Sequence, residues 1–208
     1  MDLRERIQQT AEHLFKTYGI RSITMDEIAS QLGISKKTIY QYFADKEEIV
    51  SAVLEYILQS NINCCTESLE NAENPIHEIF LAFDRMRQMF RNVNPAILFD
   101  LQKYHPKVFE RFQQYKYGFL YSTIKNNLER GIESGLYRND IDIDIITRFR
   151  IESAMLPFNQ QVFPNNQSTL LEIEEALSEH YLFGIATTKG YEIIINYKKQ
   201  RQTKPHAK

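Results

Sequence analysis

The stretch TMDEIASQLGISKKTIYQYFADK, residues 24–46, decides the fold. Thr24 followed three residues later by Glu27 makes a capping box, and Ile23 can staple onto Ile28 across the same helix start. Ile28, Ala29 and Leu32 then fall on one helical face. Gly33 follows where a Cβ would resist a left-handed turn. Ser35 caps the next helix, with Ile39 and Phe43 on one side and Lys36, Lys37, Tyr40 and Gln41 largely on others. Asp45 and Glu48 repeat the capping pattern at a third helix start. Two short helices joined by a tight turn, with cations and hydroxyls on the second, form the unit that lays a helix in the DNA major groove.

Outward from this stretch the apolar spacing stays helical. Ile7, Ala11, Leu14 and Phe15 stripe a helix over about 2–18, and Gly19 stops it. Further helices are expected at about 46–70, 75–92, 95–104, 106–134, 142–158 and 168–189. Pro75, Pro95 and Pro106 sit near helix starts, where a missing N–H costs little. Pro164-Asn165-Asn166 marks the last loop. The expected fold is all-α with about nine helices: an N-terminal three-helix bundle containing the helix-turn-helix, then a larger helical part. The expected division is a DNA-binding domain over 1–48, a ligand-binding and dimerisation domain over 49–189, and a basic tail over 190–208 that frays.

Composition sets the function class. The 208 residues carry a formal net charge of -2, with 43% hydrophobic and 25% charged residues. A near-neutral chain is no nonspecific nucleic-acid coat, so its cations must be concentrated at one small surface. Residues 1–20 hold no apolar run of a signal peptide, and no stretch reaches the roughly 20 apolar residues of a membrane span. The expected location is the cytoplasm, with no membrane contact and no cofactor. His13, His77, His105, His180 and His206 are scattered without metalloprotease spacing, and no nucleophile elbow, P-loop or dinucleotide fingerprint occurs. A non-enzymatic protein is expected. Cys64 and Cys65 are adjacent and read as two ordinary thiols, with a redox or metal-sensing pair as the alternative.

Thr24, Ile28, Ala29, Leu32-Gly33-Ile34-Ser35, Thr38-Ile39-Tyr40, Tyr42-Phe43 and Lys46 together resemble the TetR/AcrR family of transcriptional regulators over about residues 4–50. GIESGLYR at 131–138 is similar to a phrase common in that family. The residue chemistry agrees with the resemblance. Lysine can donate to guanine O6 and N7, and threonine offers a hydroxyl and a methyl. Tyrosine hydroxyls suit phosphate oxygens, although Tyr40 and Tyr42 would equally serve as half-buried packing. Lys46 in a first helical turn opposes the macrodipole and fits a facing phosphate. The resemblance implies that Thr24, Ser35, Lys36, Lys37, Thr38, Tyr40, Gln41, Tyr42 and Lys46 meet a double-stranded DNA operator.

The resemblance also implies a homodimeric, ligand-responsive repressor. Its partner helices would carry Ile146, Leu170, Ile173, Leu177 and Tyr181 at the interface. Its small-molecule effector would sit among the aromatics of the fifth to seventh helices. Phe83, Met86, Phe90, Phe99, Tyr115 and Phe119 are the candidate lining, and the same residues would also serve as plain core.

Overall fold

A computed structural model describes residues 2–164 and 168–203. Among these the regular structure is helical, apart from one isolated bridge between Tyr137 and Ala186. The head consists of α1 (Leu3–Tyr18), α2 (Met25–Leu32) and α3 (Lys36–Ile39), followed by α4 (Lys46–Asn71). The body continues with α5 (Pro75–Met89), α6 (Ile97–Tyr104) and α7 (Pro106–Tyr115). A π-helical segment, Lys116–Leu120, carries α7 without interruption into α8 (Tyr121–Glu133). Then come α9 (Ile143–Ser153), a 3₁₀ turn at Leu156–Phe158, α10 (Leu170–Ile185) and α11 (Thr188–Thr203).

The caps form as their sequences require. Thr24 accepts the Glu27 N–H while the Glu27 carboxylate takes the Thr24 N–H, a reciprocal box. Gly33 adopts the left-handed conformation at φ 67°. Asp45 accepts the Glu48 N–H, but the Glu48 carboxylate reaches Ala44 N–H at 2.7 Å, one residue upstream of the expected return bond. The helix expected over 142–158 divides at Ser153, and Pro157, which lacks an N–H, lies in the 3₁₀ turn beyond. The last loop's Asn165 and Asn166 lie outside the described residues.

The tail expectation is corrected. Residues 188–203 form α11, and Ile194 is fully buried. Tyr197 stacks on His77 with ring centroids 4.8 Å apart, and its hydroxyl donates to Glu73 and accepts from Asn74. Polar and charged residues together dominate this stretch and hide a narrow apolar stripe, Ile193, Ile194 and Tyr197, that docks on α5. The final residues of the expected tail, 204–208, lie outside the described part.

Two apolar cores result. The first gathers Ile7, Phe15, Ile28, Ile39, Phe43 and Ile49 in the head and runs along α4 to Leu101, Val108 and Tyr115 on α6 and α7. The second gathers Ile76, Phe80, Leu128, Tyr137, Leu182 and Ile194. Full burial of each large side chain is worth about 1.5–3 kcal/mol.

GIESGLYR acquires a physical reason in the second core. Gly135 turns the chain at φ 69°, and the Leu136 and Tyr137 N–H groups both donate to the Gly131 carbonyl. The buried Tyr137 ring lies directly over Gly131, where a Cβ would come within 1.9 Å of it. Its hydroxyl donates to Asn127, whose amide donates to the Pro75 carbonyl. Gly131→Ala is therefore expected to lower stability by about 1–3 kcal/mol through overpacking. Urea denaturation followed by circular dichroism measures the loss, and an unchanged midpoint would contradict this packing.

Candidate nucleic-acid interface

Helix α3 is held by one side and presents the other. Ile39 and Phe43 are buried in the head core, whereas Lys37, Tyr40, Gln41 and Tyr42 are exposed and Lys36 and Thr38 half-exposed. The α-helical hydrogen bonding spans only Lys36–Ile39. Tighter bonds from Gln41 N–H to Thr38 and from Tyr42 N–H to Ile39 carry the turn on to Phe43. This holds the aromatic pair Tyr40 and Tyr42 outward on the segment that Phe43 anchors.

Several of the expected contact groups are already engaged. Ser35 accepts the Thr38 N–H, and the two hydroxyls share a 2.8 Å bond. The Thr24 hydroxyl donates to Glu27. Hydrogen bonding from Thr24 holds the exposed Glu27 carboxyl below its ordinary value. Lys36 Nζ donates to Asp26 at 2.8 Å, and this bond lifts its pKa. Both partners are largely in solvent, so the pair is readily exchanged.

Lys46 is placed otherwise than its helix position suggested. Its ammonium turns inward and donates to the Ile20 carbonyl at 2.6 Å, 5.9 Å from the Phe15 ring. Burial lowers its pKa, and the charges of Asp100 and Glu27 act in the opposite direction. One ammonium proton is thus committed to the loop between α1 and α2, and two remain for another acceptor.

That loop is also where the body grips the head. Asp100 on α6 is buried, and its Oδ2 accepts the Arg21 N–H at 2.8 Å. Asn94 N–H donates to the Lys16 carbonyl at 2.6 Å. Gly19 has φ 86°, a conformation that favours glycine, and a Cβ there would crowd the same Asp100 oxygen at 3.0 Å. The Arg21 guanidinium lies 5.2 Å from the Tyr104 ring centroid. Glu47 at the start of α4 pairs with the buried His105. Asp100 was not among the sequence candidates. It stands 79 residues from Arg21, and one acidic residue within an amphipathic helix gives no local signal.

The expected effector lining does not converge. Phe83 borders a cavity of about 300 Å³ with Phe80, Arg87, Glu175, Glu179, Leu182, Ile194, Lys198 and Arg201. Met86 packs against the second core, Phe90 meets Phe158 edge-on, and Phe99 is exposed. Tyr115 and Phe119 stack on each other within the head-side core. The dimer candidates divide as well. Leu170, Ile173 and Tyr181 are buried inside the protomer, while Ile146 and Leu177 are half-exposed. The most exposed apolar residues of α9 are Ile145 at 63% and Phe149 at 49%, one turn apart.

Residues 7–53 match the family model described as bacterial regulatory proteins, tetR family. The chain is 25% identical over 167 residues to the HTH-type transcriptional regulator SAB2452 of Staphylococcus aureus, covering 77% of this chain and 80% of that protein. It is 24% identical over 153 residues to the HTH-type transcriptional repressor KstR2 of Mycobacterium tuberculosis, covering 70% and 74%. The structure of KstR2, a ketosteroid transcriptional regulator, shares the fold with TM-score 0.60 at 22% identity over 89% and 96% of the two chains. So does Thermus thermophilus FadR in complex with lauroyl-CoA, with TM-score 0.58 at 20% identity over 88% and 95%.

Two outcomes check this geometry. Asp100→Ala orphans the Arg21 N–H and is expected to cost about 1–3 kcal/mol in urea denaturation; a neutral result would remove the joint. Burial pushes the Cys65 thiol up to about 12, with Cys64 and Glu78 adding to the rise. Since the thiolate is the reactive form, native Cys65 is expected to resist iodoacetamide at pH 7.5 and to react once unfolded. Mass spectrometry of the labelled peptide reads this, and rapid native labelling would restore the redox alternative.

Proposed function

The chain belongs to the tetR family of bacterial regulatory proteins, and from that premise we propose that it is a cytoplasmic, homodimeric repressor. It binds a palindromic operator and is released by a small apolar or amphipathic effector. The observation that carries the DNA assignment is the two-sidedness of α3. Ile39 and Phe43 fix it to the head, and Lys36, Lys37, Thr38, Tyr40, Gln41 and Tyr42 are left to meet a groove. Residues 1–48 act as the DNA-binding part. The sensing and dimerising part begins at 49 and extends past 189 to include α11. Nothing in this reading calls for catalysis or a cofactor, and among the described residues no helix is long and apolar enough to cross a membrane.

Lys37, Tyr40, Gln41 and Tyr42 contact DNA directly. Lys36 exchanges Asp26 for a phosphate or base edge, an exchange that costs little at an exposed pair. Thr24 and Ser35 contribute through the helix starts they cap. Lys46 acts with the ammonium protons that Ile20 leaves over. Two copies set their α3 helices about 34–36 Å apart, one turn of DNA. Ile145 and Phe149, with the half-exposed Ile146 and Leu177, are the apolar surface offered to the second copy. The shared core of α1, α4, α6 and α7 carries a change in the body to the head spacing. An effector shifts that equilibrium only through its differential affinity for the two arrangements. The lauroyl-CoA held by the Thermus thermophilus relative supports an amphipathic effector here.

Replacing Lys36 and Lys37 by Ala is expected to abolish the mobility shift of DNA from upstream of the protein's own gene. Where binding persists at low salt, the slope of log affinity against log salt should fall by about 1–2. An unaltered shift would overturn the interface. Phe149→Asp is expected to give a monomer by analytical ultracentrifugation, with operator binding lost in parallel; a dimer that persists would place the two-fold elsewhere.

A further inference from the structure

We propose that the cavity between α5, α10 and α11 binds a small amphipathic carboxylate, an inference that rests on the ligand-responsive reading above and names its ligand class. The cavity encloses about 300 Å³, room for roughly ten water molecules at about 30 Å³ each. Its floor is apolar: Phe80, Phe83, Leu182 and Ile194 are all buried. Above the floor stand three cations, Arg87, Lys198 and Arg201, against two carboxylates, Glu175 and Glu179.

The vertical order of these charges selects the sign of the guest. Each cation has an acidic partner: Arg87 with Glu175, Lys198 with Glu179, and Arg201 with Asp84. Two of the cations nevertheless lie deeper than their partners, while Arg87 and Glu175 are about equally exposed at 34% and 37%. The Arg201 side chain is 24% exposed and Asp84 54%, and Lys198 is 32% exposed and Glu179 48%. The Arg201 guanidinium sits 5.3 Å from the Phe80 ring centroid. At Arg201 and Lys198, positive charge therefore borders the apolar floor, and negative charge borders water. A guest with an apolar body among Phe80, Phe83, Leu182 and Ile194 has its head beside Arg201 and Lys198.

Guanidinium groups match a carboxylate with two parallel hydrogen bonds. Arg201 gives Nη2 to Asp84, and a guanidinium carries five N–H donors, so a second carboxylate can be accommodated. An ammonium head at this depth meets like charge, and an alcohol offers a guanidinium one acceptor oxygen where a carboxylate offers two and a charge. Three lining residues, Ile194, Lys198 and Arg201, come from one face of α11 at i, i+4 and i+7. The site is thus complete only when that helix is docked.

Isothermal titration of the full-length protein with sodium octanoate, 1-octanol and octyltrimethylammonium tests the proposal. Octanoate is expected to bind at least tenfold more tightly than either competitor. Arg201→Gln should weaken octanoate about tenfold and leave octanol unchanged. Lys198→Gln serves as the second variant should Arg201→Gln fail to give a native melting curve. Equal binding of all three probes, preference for the ammonium, or octanoate binding indifferent to both variants would overturn the site. Operator titration with octanoate separates this inference from the regulatory reading. Binding without an effect on DNA upholds the site and refutes ligand control. Control of DNA by another amphiphile with no octanoate binding refutes the site alone.

Discussion

A single apolar core passing from α1 and α2 along α4 into α6 and α7 is the constraint on which the rest depends. Ile7, Phe15, Ile28 and Phe43 alone would make a three-helix bundle of under 50 residues, a size at which burial is marginal. Leu54, Leu58, Leu101, Val108 and Tyr115 extend the same core into the body. The head is therefore no free bead on a linker. Its orientation is set by what α6 and α7 do, and the polar joint at Asp100 and Arg21 fixes the register of that attachment. Gly19 belongs to the same constraint, because its positive φ favours glycine and the absent Cβ leaves the Asp100 carboxylate uncrowded against the loop.

The body is organised by a second kind of restraint. Arg150 on α9 donates to Glu174 at 2.8 Å and to Ser178 at 3.0 Å on α10, with Glu174 almost wholly buried. Burying such a pair costs desolvation that its attraction roughly repays. Its structural effect is to fix how the two helices face each other. That fixed facing determines which apolar residues are used internally and which, such as Phe149, are left outside. On the far side of α10, α11 closes a cavity that the helices before it leave open. The peptide around Ala186 makes this possible. Its bridge to Tyr137 ends α10 and redirects the chain.

Legibility in the sequence follows the range of the forces involved. Caps, turn glycines and apolar stripes act within four or five residues, so the starts of α2, α3 and α4 and the turn at Gly33 could be read directly. The two-sidedness of α3 follows from the spacing of Ile39 and Phe43 alone. The Glu48 carboxylate takes the Ala44 N–H four residues back rather than the Asp45 N–H three back, a choice between neighbouring donors that the residue pattern does not distinguish. The effector lining was not legible. Phe83, Tyr115 and Phe119 share one aromatic chemistry, yet the first borders a cavity and the others fill the head-side core. Leu170, Ile173 and Tyr181, which the resemblance implies at a partner interface, are covered within the protomer, because an apolar stripe does not reveal how many neighbours cover it. The tail expected to fray over 190–208 instead includes most of α11, because polar and charged residues outnumber apolar ones there and the docking of the apolar stripe depends on the distant α5.

By itself the sequence determined the all-α class, the helix-turn-helix and the exposed set on α3, because these rest on backbone geometry and nearest-neighbour hydrogen bonds. It also determined that cationic contact must be local, since the whole chain is nearly neutral. Tertiary structure alone decided that Lys46 turns toward Ile20, that Asp100 holds the head loop, and that α11 docks to complete a charged cavity. Those outcomes depend on groups 26, 79 and more than 100 residues apart meeting in space. Such meetings are chosen by the burial of whole helix faces, a collective quantity that no short window of sequence contains.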